Sequence, residues 1–160
     1  MVQVRAVTRP LLVGEDNPHS ADPRMALHPL LAGAAGSRLA AILGLDAASY
    51  LGAFDRTNLC ATSWNLREAR AFAARTLLAR AGRGALILLG ARVCSAFLVP
   101  FEPFEPFELV RRVGPRALVA RGVVLPHPSG RCRIWNDKES ARRARAAAAR
   151  YEDARFLEAA

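Results

Sequence analysis

Two short stretches far apart in the chain carry groups able to do chemistry. Gly14-Glu15-Asp16-Asn17-Pro18 and His127-Pro128-Ser129-Gly130 each follow a run of branched apolar residues that reads as a buried strand. A carboxylate just after a strand, Glu15 or Asp16, can orient a water or stabilise a developing cation, and Asn17 can hydrogen-bond a ligand. The alternative is an Asx turn in which Asp16 and Asn17 serve only the backbone beside Pro18. In the second stretch His127 can polarise an oxygen that gains negative charge, Ser129 can contact a phosphate, and Gly130 allows close approach of the backbone. Its alternative is a turn ending a strand, with a solvated histidine. A hydrolase triad of Ser129, His127 and Asp16 is disfavoured: the serine stands two residues from its histidine, and no GxSxG elbow is present.

Behind the second stretch, Arg131, Arg133 and Trp135 interleave cations with an aromatic, a combination suited to phosphate contact and base stacking. Equally, Trp135 can simply pack the last helix. His19 and His28 read as loop residues, because no carboxylate or cysteine stands from them at metal-ligand spacing.

The elements that must position these groups alternate in type. Leu11 to Gly14 is a strand opening into the first loop, a helix is expected from about Ser37 to Leu45, and residues 53 to 59 give a second strand ending at Asn58. Residues 66 to 81 place Leu66, Ala69, Phe72, Ala73, Leu77 and Leu78 on one helical face. Ala85 to Gly90 is the clearest buried strand, with a short helix over Val93, Phe97 and Leu98 after it. The tandem PFEPFEPFE reads as an extended surface loop, since its prolines prevent a regular helix. Val123 to Leu125 forms the last strand, and Asn136 or Asp137 caps an Ala- and Arg-rich helix running to the C-terminus. This order predicts an α/β domain, three-layer α/β/α with a short central parallel sheet. Ligands bind such sheets beyond the C-terminal strand ends, where Glu15, Asp16, Asn17, Asn58, His127 and Ser129 all fall.

The chain's 160 residues suit one domain, 1–160. Basic residues number 23 against 14 acidic, a net charge of +9 that makes a polyanion such as DNA the expected partner. Cys60, Cys94 and Cys132 are an odd set without a CxxC pair, so neither a disulfide framework nor a metal site is expected and the chain reads as cytoplasmic. The N-terminal apolar run is too short for a signal peptide, and no membrane association is expected.

With both loops placed on strand ends in this order, the chain resembles the uracil-DNA glycosylase superfamily. GEDNP stands where that family has a GQDP, GEAPG or GxNPG motif, and HPSG where it has HPS or NPSG. PLLAGAAGSRL is similar to its PFVGxAGxLL segment, RTNLC to its strand ending TNV, and ALILLGARV to its LGxxA segment, so the similarity runs from about residue 11 to 135. The resemblance implies a uracil-DNA glycosylase-like fold and a water-activating loop from Gly14 to Asn17. Depending on the frame, Asp16, Asn17 or Glu15 takes the leading place, Asp16 first. Asn58 matches the residue that reads the pyrimidine edge, and Gly14 and Leu30 belong to the base-binding set, Leu30 in place of a phenylalanine that stacks on the base. His127 matches the histidine that stabilises the departing base. Ser129 would hold a backbone phosphate, and with it Gly130, Arg131 at the wedge position and Arg133 would contact DNA.

What the resemblance implies is excision of a modified pyrimidine by hydrolysis of its N-glycosidic bond, after the base is flipped from the duplex. The only lysine is Lys138, so a monofunctional enzyme leaving an abasic site is expected, without metal or cofactor, acting as a monomer. The four cysteines of the family's iron–sulfur branches are missing. Pro18 replaces a tyrosine that blocks a pyrimidine 5-substituent, which opens the choice between uracil, as in repair, and a bulkier phage base such as glucosylated hydroxymethylcytosine, as in antiphage defence. Two rival functions are a catalytically silent DNA-binding module and a nucleotide-binding α/β protein; the latter lacks a Walker or GxGxxG loop.

Overall fold

A computed structural model describes residues 8–152. Its order is β1 (Leu11–Gly14), α1 (Ala35–Leu43), α2 (Ala47–Ala53), β2 (Asp55–Asn58), α3 (Leu66–Arg80), β3 (Leu86–Leu89), α4 (Ala91–Phe97), β4 (Pro106–Val113), β5 (Arg116–Leu125) and α5 (Lys138–Glu152). The five strands form one sheet in the order β2-β1-β3-β5-β4. The first four run parallel, and β4 closes one edge antiparallel to β5.

The central strands β1 and β3 and the end of β5 are apolar on both sides because helices cover both faces. Leu11, Val13, Leu86, Leu88 and Val124 pack with α3 and α4, whereas Leu12, Ile87, Leu89, Val123 and Leu125 pack with α1, α2 and α5. The alternation of side chains along each strand thus sorts one apolar run into two cores. This mixed α/β arrangement is compatible with the expected three-layer α/β/α architecture.

Several expectations are corrected. The strand read at Val123 to Leu125 is the last part of the ten-residue β5, and β4 begins within the PFE repeat instead of leaving it a loop. The three repeat units fare differently: Phe101 is exposed, Phe104 is buried edge-on against Trp135 at 5.9 Å, and Phe107 packs on the core from β4. Residues 47 to 52, read as no element, and Ala53, read as the start of the second strand, form α2, with Asp46 accepting from the Ser49 amide, and β2 begins only at Asp55. On α3 the buried stripe is Ala69, Ala73, Thr76 and Leu77, while Leu66 and Leu78 face solvent. Small side chains on that stripe let the helix lie close to the sheet. Leu98 is the exposed, left-handed C-cap of α4. Asp137, not Asn136, accepts from the first-turn amide of Glu139 in α5, and the rest of that expected helix lies outside the described residues.

All three cysteines are free. Burial pushes the Cys94 thiol up to about 12, the setting of an inert core thiol. Among the described residues no helix is long and apolar enough to cross a membrane.

Candidate active site at the carboxyl ends of the strands

β1 and β3 are paired neighbours, but the chain leaving β1 goes to β2 on one side and the chain leaving β3 goes to β4 and β5 on the other, so the connections diverge at their carboxyl ends. Such a divergence opens a crevice above the sheet. A cavity of about 230 Å³ lies there, and Glu15, Asp16, Asn17, Asn58, His127 and Ser129 all line it. Six groups expected at three strand ends are therefore neighbours in one pocket.

The three candidates of the first loop have different duties. Asn17 is only 8% exposed; its Oδ1 accepts from the His19 amide at 3.0 Å and its Nδ2 donates to the Met25 carbonyl at 3.2 Å. Both ends of that amide are spent on holding the loop, as the Asx-turn alternative required. Glu15 is tethered by the Arg92 guanidinium at 3.4 Å, and Arg92 in turn lies 6.0 Å over the Trp64 ring. Asp16, partly exposed, has no hydrogen bond or ion pair among the described residues, so its carboxylate is free to receive a proton from something in the cavity.

Gly14 ends β1 behind Asn58, where any Cβ would collide with Asn58 Oδ1. That oxygen is enclosed and, among the described residues, accepts no hydrogen bond. A buried amide oxygen without a donor costs about 1–3 kcal/mol, so its retention calls for an explanation outside the fold.

His127 follows β5 and meets the end of β3 at Gly90. Gly90 has φ +93°, and a Cβ there would sit 2.9 Å from His127 Cβ and 3.5 Å from Glu15 Oε1. Only glycine lets β3 turn into α4 beneath both side chains. The backbone of His127 is fixed from two sides: its carbonyl accepts from Trp135 Nε1 at 2.9 Å and from the Ser129 amide at 2.8 Å. Trp135 thus packs and positions the loop, its ring against Phe104 and the α5 core. No hydrogen bond joins Ser129 Oγ to His127 among the described residues, and the triad gains nothing.

Leu30 is 70% exposed and does not line the cavity; Leu27, His28 and Leu31 stand on that wall instead. The segment rises through a turn here, so the position after Pro29 points to solvent. Gly130, Arg131 and Arg133 are exposed and also outside the lining.

Among the lining residues that had no assigned part in this site are His19, His28, Leu31 and Arg38. All three of the chain's histidines face the cavity, His19 and His28 joining His127. His28 Nδ1 accepts from the Leu30 amide at 3.3 Å, which leaves the proton of the neutral ring on Nε2 as a donor. Leu31 supplies apolar wall. Arg38, in the first turns of α1, also lines the cavity, and a Cβ at Gly130 would come within 2.7 Å of its Nη1. The signal for Arg38 was present in GAAGSR, a segment whose helix starts at the site. Among the described residues no group of three or more His, Cys, Asp or Glu side chains is arranged to hold a metal ion.

No protein-family model matches the chain, and no curated protein does.

Proposed function

We propose that this protein is a DNA glycosylase of the uracil-DNA glycosylase-like type, flipping a modified pyrimidine out of DNA and hydrolysing its N-glycosidic bond. One observation carries the reading: Asp16, Asn58 and His127, from the ends of three strands, line a single small cavity. At about 230 Å³ the cavity lies below the about 300–1,000 Å³ of drug-sized sites, a scale suited to one base. Asn58 then reads the base edge. As the bond between the base and sugar C1′ lengthens, its electron pair moves onto the base and the sugar gains oxocarbenium character. His127 stabilises the negative charge on the base, and Asp16 orients a water toward C1′ and takes its proton. The products are the free base and an abasic site. Lys138 begins α5 and is not among the cavity's residues, which suits a monofunctional enzyme.

Ser129 and Arg38 serve the phosphate of the flipped nucleotide. Arg38→Ala is expected to weaken binding of every DNA sequence alike and to reduce the slope of log K against log salt by about 0.9, one phosphate contact. A salt titration of affinity checks this, with bound-state release unchanged.

The test of the function is mass spectrometry of bases released from DNAs containing uracil, hydroxymethyluracil, hydroxymethylcytosine or glucosylated hydroxymethylcytosine. Release of uracil supports a repair role, and release of only the bulky base supports antiphage defence. Binding without release by any substrate favours the silent module, a reading motivated by Glu15 being occupied by Arg92 and by the net charge of +9.

A further inference from the structure

β5 pairs with β3 only from Gly122 to Leu125, yet β4 and β5 stay paired out to Val113 and Arg116. Residues 108 to 121 therefore form a two-stranded ribbon that runs past the other strands, closed by a turn at Gly114 and Pro115. Because β5 is parallel to β1 and β3, this overhang lies at the end of the sheet opposite the cavity. The ten residues of β5 put the tip about 30 Å from Leu125.

Residues 110 to 117 are all exposed and include Arg111, Arg112 and Arg116 but no acid. The ribbon's ion pair, Arg121 with Glu108 at 2.8 Å, lies nearer the sheet, and none of the three tip arginines has a carboxylate partner among the described residues. By register, Arg111 and Arg116 share one face with Val113, while Arg112 lies on the other with Val110. Exposed valines and unpaired cations on both faces do not suit a ribbon laid flat on a protein surface. They suit one inserted between two ridges of phosphate.

We infer that this ribbon is a second duplex-DNA site, entering the major groove tip first, with one face carrying Arg111 and Arg116 toward one flanking strand and the other carrying Arg112 toward the opposite strand. The major groove of B-form DNA, about 12 Å wide, admits a two-stranded ribbon. The deep, narrow major groove of an RNA duplex does not. Since tip and cavity lie at opposite ends of the sheet, the DNA held by the ribbon is a different segment from the one in the cavity. The inference needs DNA as partner but not base release, so the two stand or fall separately.

Native mass spectrometry with a 12-base-pair duplex tests it. The wild-type chain should carry two duplexes, and the triple variant Arg111→Ser, Arg112→Ser, Arg116→Ser should carry one. With three phosphate contacts gone, the salt slope summed over both sites should fall by about 2.7, at about 0.9 per contact. These side chains are exposed, so the melting temperature should not move. One duplex on the wild-type chain, or two on the triple variant, overturns the ribbon site and leaves the glycosylase proposal untouched. Two duplexes without release of any base leaves the ribbon site standing and removes the glycosylase.

Discussion

His127→Ala is expected to slow base release by about 10²- to 10³-fold, the loss seen when one group facing a developing anion is removed. Asp16→Asn should lose a similar or larger factor, about 10²- to 10⁴-fold, since it removes a proton acceptor while keeping shape. Neither change should unfold the protein. His127 is anchored through its backbone carbonyl, which alanine retains, and among the described residues Asp16 makes no side-chain bond that asparagine would break. Single-turnover release measured at saturating enzyme isolates the chemical step, and a binding isotherm on the same DNA should show affinity within a few-fold of wild type. Asn17→Ala is the contrasting control. It removes the bonds to His19 and Met25, so any slowing should come with a fall in stability of about 1–3 kcal/mol. If Asp16→Asn and His127→Ala both release base at the wild-type rate, the assigned roles are wrong.

Asp16 and Asn17 show where sequence stops informing. The stretch GEDNP fits several loop frames, and nothing in its letters says which polar group the loop needs for itself. That is decided by Met25 and His19, whose backbone groups reach Asn17 only once the segment 17–25 has folded over it. Strand ends were more legible: β1 ends at Gly14 and β2 at Asn58 as their apolar and turn residues predicted, and these ends fix the site. The PFE repeat was opaque for a different reason. Three identical tripeptides cannot signal three environments, and β4 forms because β5 offers it a partner, a long-range pairing that local pattern does not encode. Leu30 failed likewise: its neighbours Pro29 and Leu31 are turned inward, and a single step along the turn moves a side chain from wall to solvent.

Asn58→Leu should separate stability from function in opposite directions. Leucine has nearly the shape of asparagine but no polar atom, so it removes the enclosed oxygen that lacks a donor. The fold is then relieved of a penalty of about 1–3 kcal/mol, partly offset by tighter packing against Gly14, leaving a net gain of about 1 kcal/mol. For a domain of this size that raises the melting temperature by about 2–4 °C. Base release should fall by about 10²-fold or more, because a ligand whose hydrogen-bonding edge meets an apolar group is left unpaired in the cavity. A polar residue kept solely for the fold would give the reverse result, a lower melting temperature with release intact. Thermal denaturation alongside release kinetics distinguishes the two. A variant that is both more stable and fully active would mean that Asn58 reads nothing, and the base-recognition role would have to move to His28, the remaining donor on that wall.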